Sequence, residues 1–365
     1  MMEHRESGGY ELYHWTVGDG SGAIIWPNMN LRHAPDDPIG TMKVELFRTA
    51  EFRQALSLAI NREEIIDVEI NGMSEAVQAG PGPGSLFHEP SQFFAYVDYD
   101  PATADQLLDE IGLTRRDAEG FRTFPDGSRM HFFLNYQHGT GNLAGMLEAV
   151  VDDWARIGIR ATARERSVNL FRIEFEGLQH DFSVVGATGQ GLPLNLPRLF
   201  TITRGSWYAS AWARWFDMDG FYGKDVKLSD GVQKPPEDHP IMDAVRAYDA
   251  AIRETELDQQ VEVFREALKI AGRELWTISL ASSPPIVAVV KNGFHNVPRE
   301  VIHNWEMLGL GGSGRETFYM DEPSDSPGAI AQAKESMVNP TLPPRMAETL
   351  AESRPGEELK GGGLG

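Results

Sequence analysis

The sequence runs to 365 residues, 41% of them hydrophobic and 24% charged, an ordinary composition for a globular chain long enough to hold more than one core. Its 54 acidic and 33 basic side chains leave a formal charge of −21, which repels a phosphate backbone and excludes nucleic acid and anionic membranes as expected partners. The absence of cysteine excludes disulfide frameworks, thiolate metal sites and cysteine nucleophiles, and no apolar run reaches the roughly 18 residues that a spanning helix needs.

The polar opening, MMEHRESGG, has no apolar h-region and no small-residue cleavage site, so it reads as lacking a signal peptide. Alternation over residues 10–17 predicts a strand, and residues 23–26 a second. Pro35 and Pro38 mark a loop over residues 32–37. Phe52, Ala55, Leu56, Ala59 and Ile60 recur at helical spacing on one face. Asn61 and Glu64 have capping-box spacing and predict a new helix through Ile65, Ile66 and Ile70. The stretch GPGPGS at residues 80–85 excludes both helix and central strand, and reads as a surface connection or a loop at a cleft.

Asp100 and Pro101 predict a helix start, with Ala104, Leu107, Leu108 and Ile111 on one face and Gly112 as its stop. A turn at residues 125–127 precedes a buried strand over 130–136. Leu143, Met146, Leu147, Val150, Trp154 and Ile157 then form a helical stripe that ends at Gly158, and Ile159, Ala161 and Ala163 alternate as a strand. Strand, helix and strand in this order predict a parallel βαβ unit. A buried strand is expected over 180–185, two helical pieces over 241–275 broken near Thr255, and a strand over 286–290. From residue 324 onward the composition is that of a disordered tail.

Four blocks, in order, resemble the family 5 solute-binding proteins of ABC importers. They are FRTAEFRQALSLAINREEI (47–65), YDPATADQLLDEIGL (99–113), GFRTFPDGSRMHFFL (120–134), and the pair KPPEDHPIMDAVRAYDAA (234–251) and ELWTISLASSPPIVAVVKNGFHNVP (274–298). The resemblance implies an α/β fold of the two-lobe periplasmic-binding-protein type (class II), with the first lobe incomplete because the chain reads as N-terminally truncated. It implies a partial first lobe at 1–129 and 276–323 and a second lobe at 130–275. It also implies capture of an oligopeptide or oligosaccharide, delivery to ABC permease subunits, a monomer, and a periplasmic or extracellular membrane-associated location. No catalysis, cofactor or metal is expected.

The segment 189–222 is rich in aromatics, and sugar rings and peptide side chains both pack on indole faces. In the family the matching part of the second lobe lies near ligand. Trp207, Tyr208, Trp212 and Trp215 are therefore candidate contacts, with Asn195 and Gln190 as hydrogen-bonding groups. For Trp212, Trp215 and Phe216 the competing assignment is the core. Asn30 is a further candidate against a turn-forming role. Peptide-binding relatives often pair the ligand's α-amino group with an acidic residue in the second lobe. The run GATGQGLPLN after Val185 has no carboxylate, which favours a neutral sugar unless Asp217 or Asp219 serves.

Gly139, Gly141 and Ala144 fit the dinucleotide fingerprint G-x-G-x-x-A between a strand and a helix, with Glu165 about 20 residues on. A dinucleotide-binding enzyme is thus one alternative, and a non-functional fragment the other. Scattered histidines suggest no zinc site, and neither a G-x-S-x-G elbow nor a P-loop lysine is present.

Overall fold

The structure is a computed structural model that describes residues 2–17, 20–187, 191–302 and 313–321. The expected tail from residue 324 and the candidate Gln190 lie outside these residues.

In chain order the first elements are α1 (Arg5–Gly8), β1 (Tyr10–Trp15), β2 (Ile24–Pro27), α2 (Pro38–Arg48), α3 (Ala50–Leu58) and α4 (Arg62–Ile70). Next come α5 (Pro90–Phe93), α6 (Pro101–Glu110), β3 (Phe132–Gln137), α7 (Leu143–Arg156), β4 (Ala161–Arg166), α8 (Val168–Glu176) and β5 (Phe182–Val184). The series closes with α9 (Ser210–Asp217), α10 (Ile241–Arg253), α11 (Leu257–Glu274), β6 (Ile278–Ser279), β7 (Ile286–Lys291), β8 (Phe294–His295) and β9 (Tyr319–Met320).

Capping chemistry starts several of these helices where the sequence predicts. Asp100 accepts from the Thr103 amide at 3.0 Å with Pro101 in the first turn of α6. Asn61 accepts from the Glu64 amide at 3.3 Å and donates back to its carboxylate at 3.0 Å, opening α4. Gly112 and Gly158 adopt φ of 87° and 79° just past α6 and α7, the left-handed stop that glycine takes without strain. One helix, α2, falls just beyond a stretch read as loop. Asp37 caps it through the Ile39 and Gly40 amides, so Pro38 starts a helix instead of prolonging a coil.

A five-stranded sheet runs in the order β4-β3-β5-β2-β6. The βαβ expectation is met: β3 pairs with β4 in parallel from Phe132↔Ala161 to Gln137↔Arg166. β3 also pairs in parallel with β5, while β2 is antiparallel to both β5 and β6. β3, β4, β5 and β6 therefore all point the same way, and β2 runs against them.

On one face Phe132 and Phe182 pack with Phe47, Phe52 and Trp154 at centroid separations of 4.9–6.5 Å. These rings come from α2, α3 and α7 and fill the main core, where offset and edge contacts add to burial. On the other face the alternate positions Trp26, Asn135 and Ser183 meet α8 and Trp207. Asn135 donates to Glu174 at 2.8 Å there, and Trp26 lies 5.9 Å from Trp207.

Tyr13–Ala288 fold as one compact unit with the described part of 299–313, because β2 inserts between β5 and β6 in a single sheet. The smaller unit comprises residues 2–12, Val289–Pro298 and 314–321. Within it β8 and β9 pair antiparallel, and His295 contacts the Asp321 carboxylate at 2.7 Å. β1 and β7 form a two-stranded ladder.

Candidate functional site

Strand direction singles out one end of the sheet. The carboxyl ends of β3, β5 and β6 and the amino end of β2 converge, and in open α/β sheets ligands bind outside the carboxyl ends of the strands. Four connections, from β3, β4, β5 and β6, leave this end and the one into β2 enters it.

They are laced together by backbone bonds. Ser21 and Ala187 exchange both amide–carbonyl bonds at 2.8 and 2.9 Å, and the Ser283 amide donates to Gly20 at 3.1 Å. Gly186 is required in this lattice: a Cβ there would lie 2.7 Å from the Ser21 carbonyl and 2.8 Å from that of Gly22. From β6 onward the Ser282 amide donates to Glu75, and the Glu75 amide returns a bond to the Ser282 hydroxyl at 2.9 Å.

Two adjoining recesses open on this rim and share Ser282. One of about 290 Å³ is lined by Ala23, Glu69, Ile70, Met73, Asn142, Met146 and Pro284, among others. The other, about 690 Å³, is lined by Glu75, Val77, Pro83, Gly84, Ser85, Phe93, Gly191 and Leu192, among others. The GPGPGS loop, for which a surface connection was one expectation, is thus partly buried and forms a wall. The Ser85 hydroxyl fixes it to the Gly191 carbonyl at 2.7 Å.

The glycine fingerprint lies on this rim. Gly139 and Gly141 adopt φ of 80° and 68° in the turn from β3 into α7. Glu69 crowds the start of α7: the Asn142 side-chain Nδ2 donates to the Glu69 carbonyl, and a Cβ at residue 145 would run into the Glu69 carboxylate. A pyrophosphate would meet this negative charge where it needs open amides. Glu165, the expected ribose partner, instead lies 2.6 Å from His138 Nδ1. The geometry does not favour the dinucleotide alternative.

Most of the aromatic candidates lie away from this rim. Tyr208 is fully buried, its ring stacked between Trp26 and Trp276 at 6.3 and 5.7 Å and its hydroxyl donating to the Thr201 carbonyl at 2.9 Å. Trp212 is buried, with the Arg48 guanidinium 5.0 Å above the ring and His239 edge-on at 4.9 Å. Trp215 is buried as well, with the Lys234 ammonium 5.9 Å from its ring. Asn30 is buried, and its side-chain oxygen accepts from the amides of Ala211 and Trp212, capping α9.

The Met29 amide donates to the Tyr208 carbonyl, which places this group at the carboxyl end of β2, opposite the rim. Trp207 is half-buried against Phe175 at 4.4 Å and borders a separate recess of about 410 Å³ with Arg204 and Asp217. Asn195 is exposed, its amide donating to Leu192 on the wall of the larger rim recess. Of the described candidates, Asn195 alone adjoins the rim. Sequence reasoning did not single out Glu69, Met73 or Phe93. The signal available for the aromatic group was spacing: residues 208, 211, 212 and 215 recur as a core stripe does.

Residues 9–222 match the family model described as "Bacterial extracellular solute-binding proteins, family 5 Middle". The chain is similar to the periplasmic alpha-galactoside-binding protein of Rhizobium meliloti, 24% identical over 295 residues that cover 75% of this chain and 39% of that protein. It is likewise similar to di/tripeptide-binding protein 3 of Pseudomonas aeruginosa, 25% identical over 295 residues, 80% of this chain and 44% of that one. Among solved structures it matches an oligopeptide-binding protein, OppA, with a TM-score of 0.71 and 28% identity over 88% of this chain and 50% of that one. The chain spans half or less of the length of each of these relatives.

Proposed function

Since this chain belongs to the family 5 bacterial extracellular solute-binding proteins, we propose that it captures an oligopeptide or oligosaccharide and delivers it to the permease of an ABC import system outside the cytoplasm. The larger unit supplies one wall of the binding site, and the solute lies on the rim at the carboxyl ends of β3, β5 and β6. Capture is binding without chemistry: ligand contacts on both sides of a cleft stabilise its closed state.

The observation that carries this reading is the pair of adjoining recesses at that end of the sheet, with apolar walls and few polar groups, the make-up of a small-ligand site. Names of relatives support both solute classes, since one is an α-galactoside binder and another a di/tripeptide binder. Asn195 is the hydrogen-bonding candidate beside the rim, and Trp207 is the aromatic candidate that retains exposed surface.

The test is thermal shift of the full chain across peptides and oligosaccharides, with Leu192→Arg beside the wild type. Leu192 is 54% exposed, so the substitution leaves the core intact while filling the larger recess. A solute that raises the melting temperature of the wild type should lose its effect there. It should keep its effect with Ile173→Arg on the exposed side of α8. Equal responses from both variants would place the solute elsewhere.

A further inference from the structure

Both rim recesses are electrostatically one-sided. The charged side chain lining the smaller one is Glu69, and that lining the larger one is Glu75; neither lining includes a lysine or arginine. Glu69 is half-buried, and its carboxylate has no hydrogen-bond or ion-pair partner among the described residues. A partly desolvated carboxylate without a cation is an incomplete pair, and a ligand cation completes it at low desolvation cost because the site is still open to water.

The walls beside it are aliphatic. Ile70, Met73 and Met146 form an apolar slot, and unbranched methionines adapt to a flexible chain. At about 290 Å³ the slot sits at the lower edge of the ~300–1,000 Å³ typical of pockets that hold a whole small ligand, a size for one side chain. Flat sugar platforms are missing: Phe93 is the aromatic ring in either lining, with neither tryptophan nor tyrosine.

We propose that the solute is a cationic peptide, with the aliphatic stem of a lysine or arginine side chain against Ile70, Met73 and Met146 and its charged end at Glu69. This rests on the solute-binding reading above and replaces the neutral sugar that the GATGQGLPLN run suggested. The net charge of −21 acts in the same direction, concentrating cations at the surface.

The experiment is isothermal titration calorimetry of the full chain with trilysine, trialanine and raffinose. Wild type is compared with Glu69→Gln and with Asp258→Asn, a charge-matched control on the exposed first turn of α11. The expected result is trilysine binding at least ~10-fold tighter than trialanine, a gap of about 1.4 kcal/mol. Glu69→Gln should reduce the preference to under ~3-fold while Asp258→Asn leaves it unchanged. Raffinose or trialanine binding as tightly as trilysine would overturn the proposal yet leave solute capture standing, as would a trilysine affinity indifferent to Glu69→Gln. Heat from none of the three probes would count against both.

Discussion

Arg62 offers the sharpest test of what holds the rim in place. Its guanidinium is fully buried and has no carboxylate within ion-pair distance among the described residues. It donates instead to the carbonyls of Ser57 at 2.9 Å, Val97 at 3.2 Å and Ser279 at 2.9 Å, and to the Ser57 hydroxyl at 2.7 Å. One side chain thereby joins the end of α3, the segment before α6 and strand β6, which leads into the rim.

Burial pushes its pKa down to about 9, with Asp98 opposing, so the cation is held at a real desolvation cost. Four bonds from a charged donor contribute about 1.5–3 kcal/mol each, and burying the guanidinium costs several kcal/mol in return. Arg62→Met should therefore destabilise by about 3–5 kcal/mol, a large share of the ~5–15 kcal/mol of a typical domain. Arg62→Lys should recover less than half of that loss, because a compact ammonium cannot span acceptors on three separate segments. Urea unfolding followed by tryptophan fluorescence measures both. If Arg62→Met falls within about 0.5 kcal/mol of wild type, a range typical of uninvolved surface positions, or if lysine substitutes fully, the account of the guanidinium as a three-way tie is wrong.

Two further outcomes follow from buried groups. His180 is buried with its Nε2 unpartnered among the described residues, and burial pushes its pKa down to about 4. The unfolded chain takes up a proton near 6.5 that the folded chain refuses, so this contribution is intact above about pH 6.5 and is lost towards pH 4, about 3 kcal/mol in all. Urea midpoints at pH 7.5 and 4.5 should converge in His180→Leu; His239, also lowered to about 4 by burial, leaves a residual slope. Gly186→Ala should lower the melting temperature, since its Cβ meets backbone on two sides, at an overpacking cost of about 1–3 kcal/mol. An unchanged melting temperature would mean that the lattice of connections yields freely.

Local chemistry made much of this fold readable. Asp100–Pro101, the Asn61 and Glu64 pair, and the glycines after α6 and α7 each act within a turn of chain, so a short window contains cause and effect. The same Asp–Pro signal stood at residues 37–38, where Pro35 nearby made it read as a breaker. What no window contains is pairing across distance. The partner of Ile25 is Val184, so β2 shares its sheet with strands that lie more than 100 residues further along the chain. The aromatic segment is ambiguous in the sequence because tryptophan serves core and ligand sites equally well. Only the stripe formed by Tyr208, Ala211, Trp212 and Trp215 distinguished the two. Glu69 carried no mark at all, since its isolation appears only once α4 and α7 are side by side.

The position of β2 has a consequence for synthesis. Its edges are satisfied by residues near 183 and near 278, so the strand leaves the ribosome long before either neighbour exists. At ~5–20 residues per second, roughly 10–50 s separate Ile24–Pro27 from Ile278. For that interval an apolar ribbon stays open on at least one side, a template for wrong partners. Chaperone demand during translation should accordingly fall only as the segment around residue 279 emerges, however early the helices between have formed.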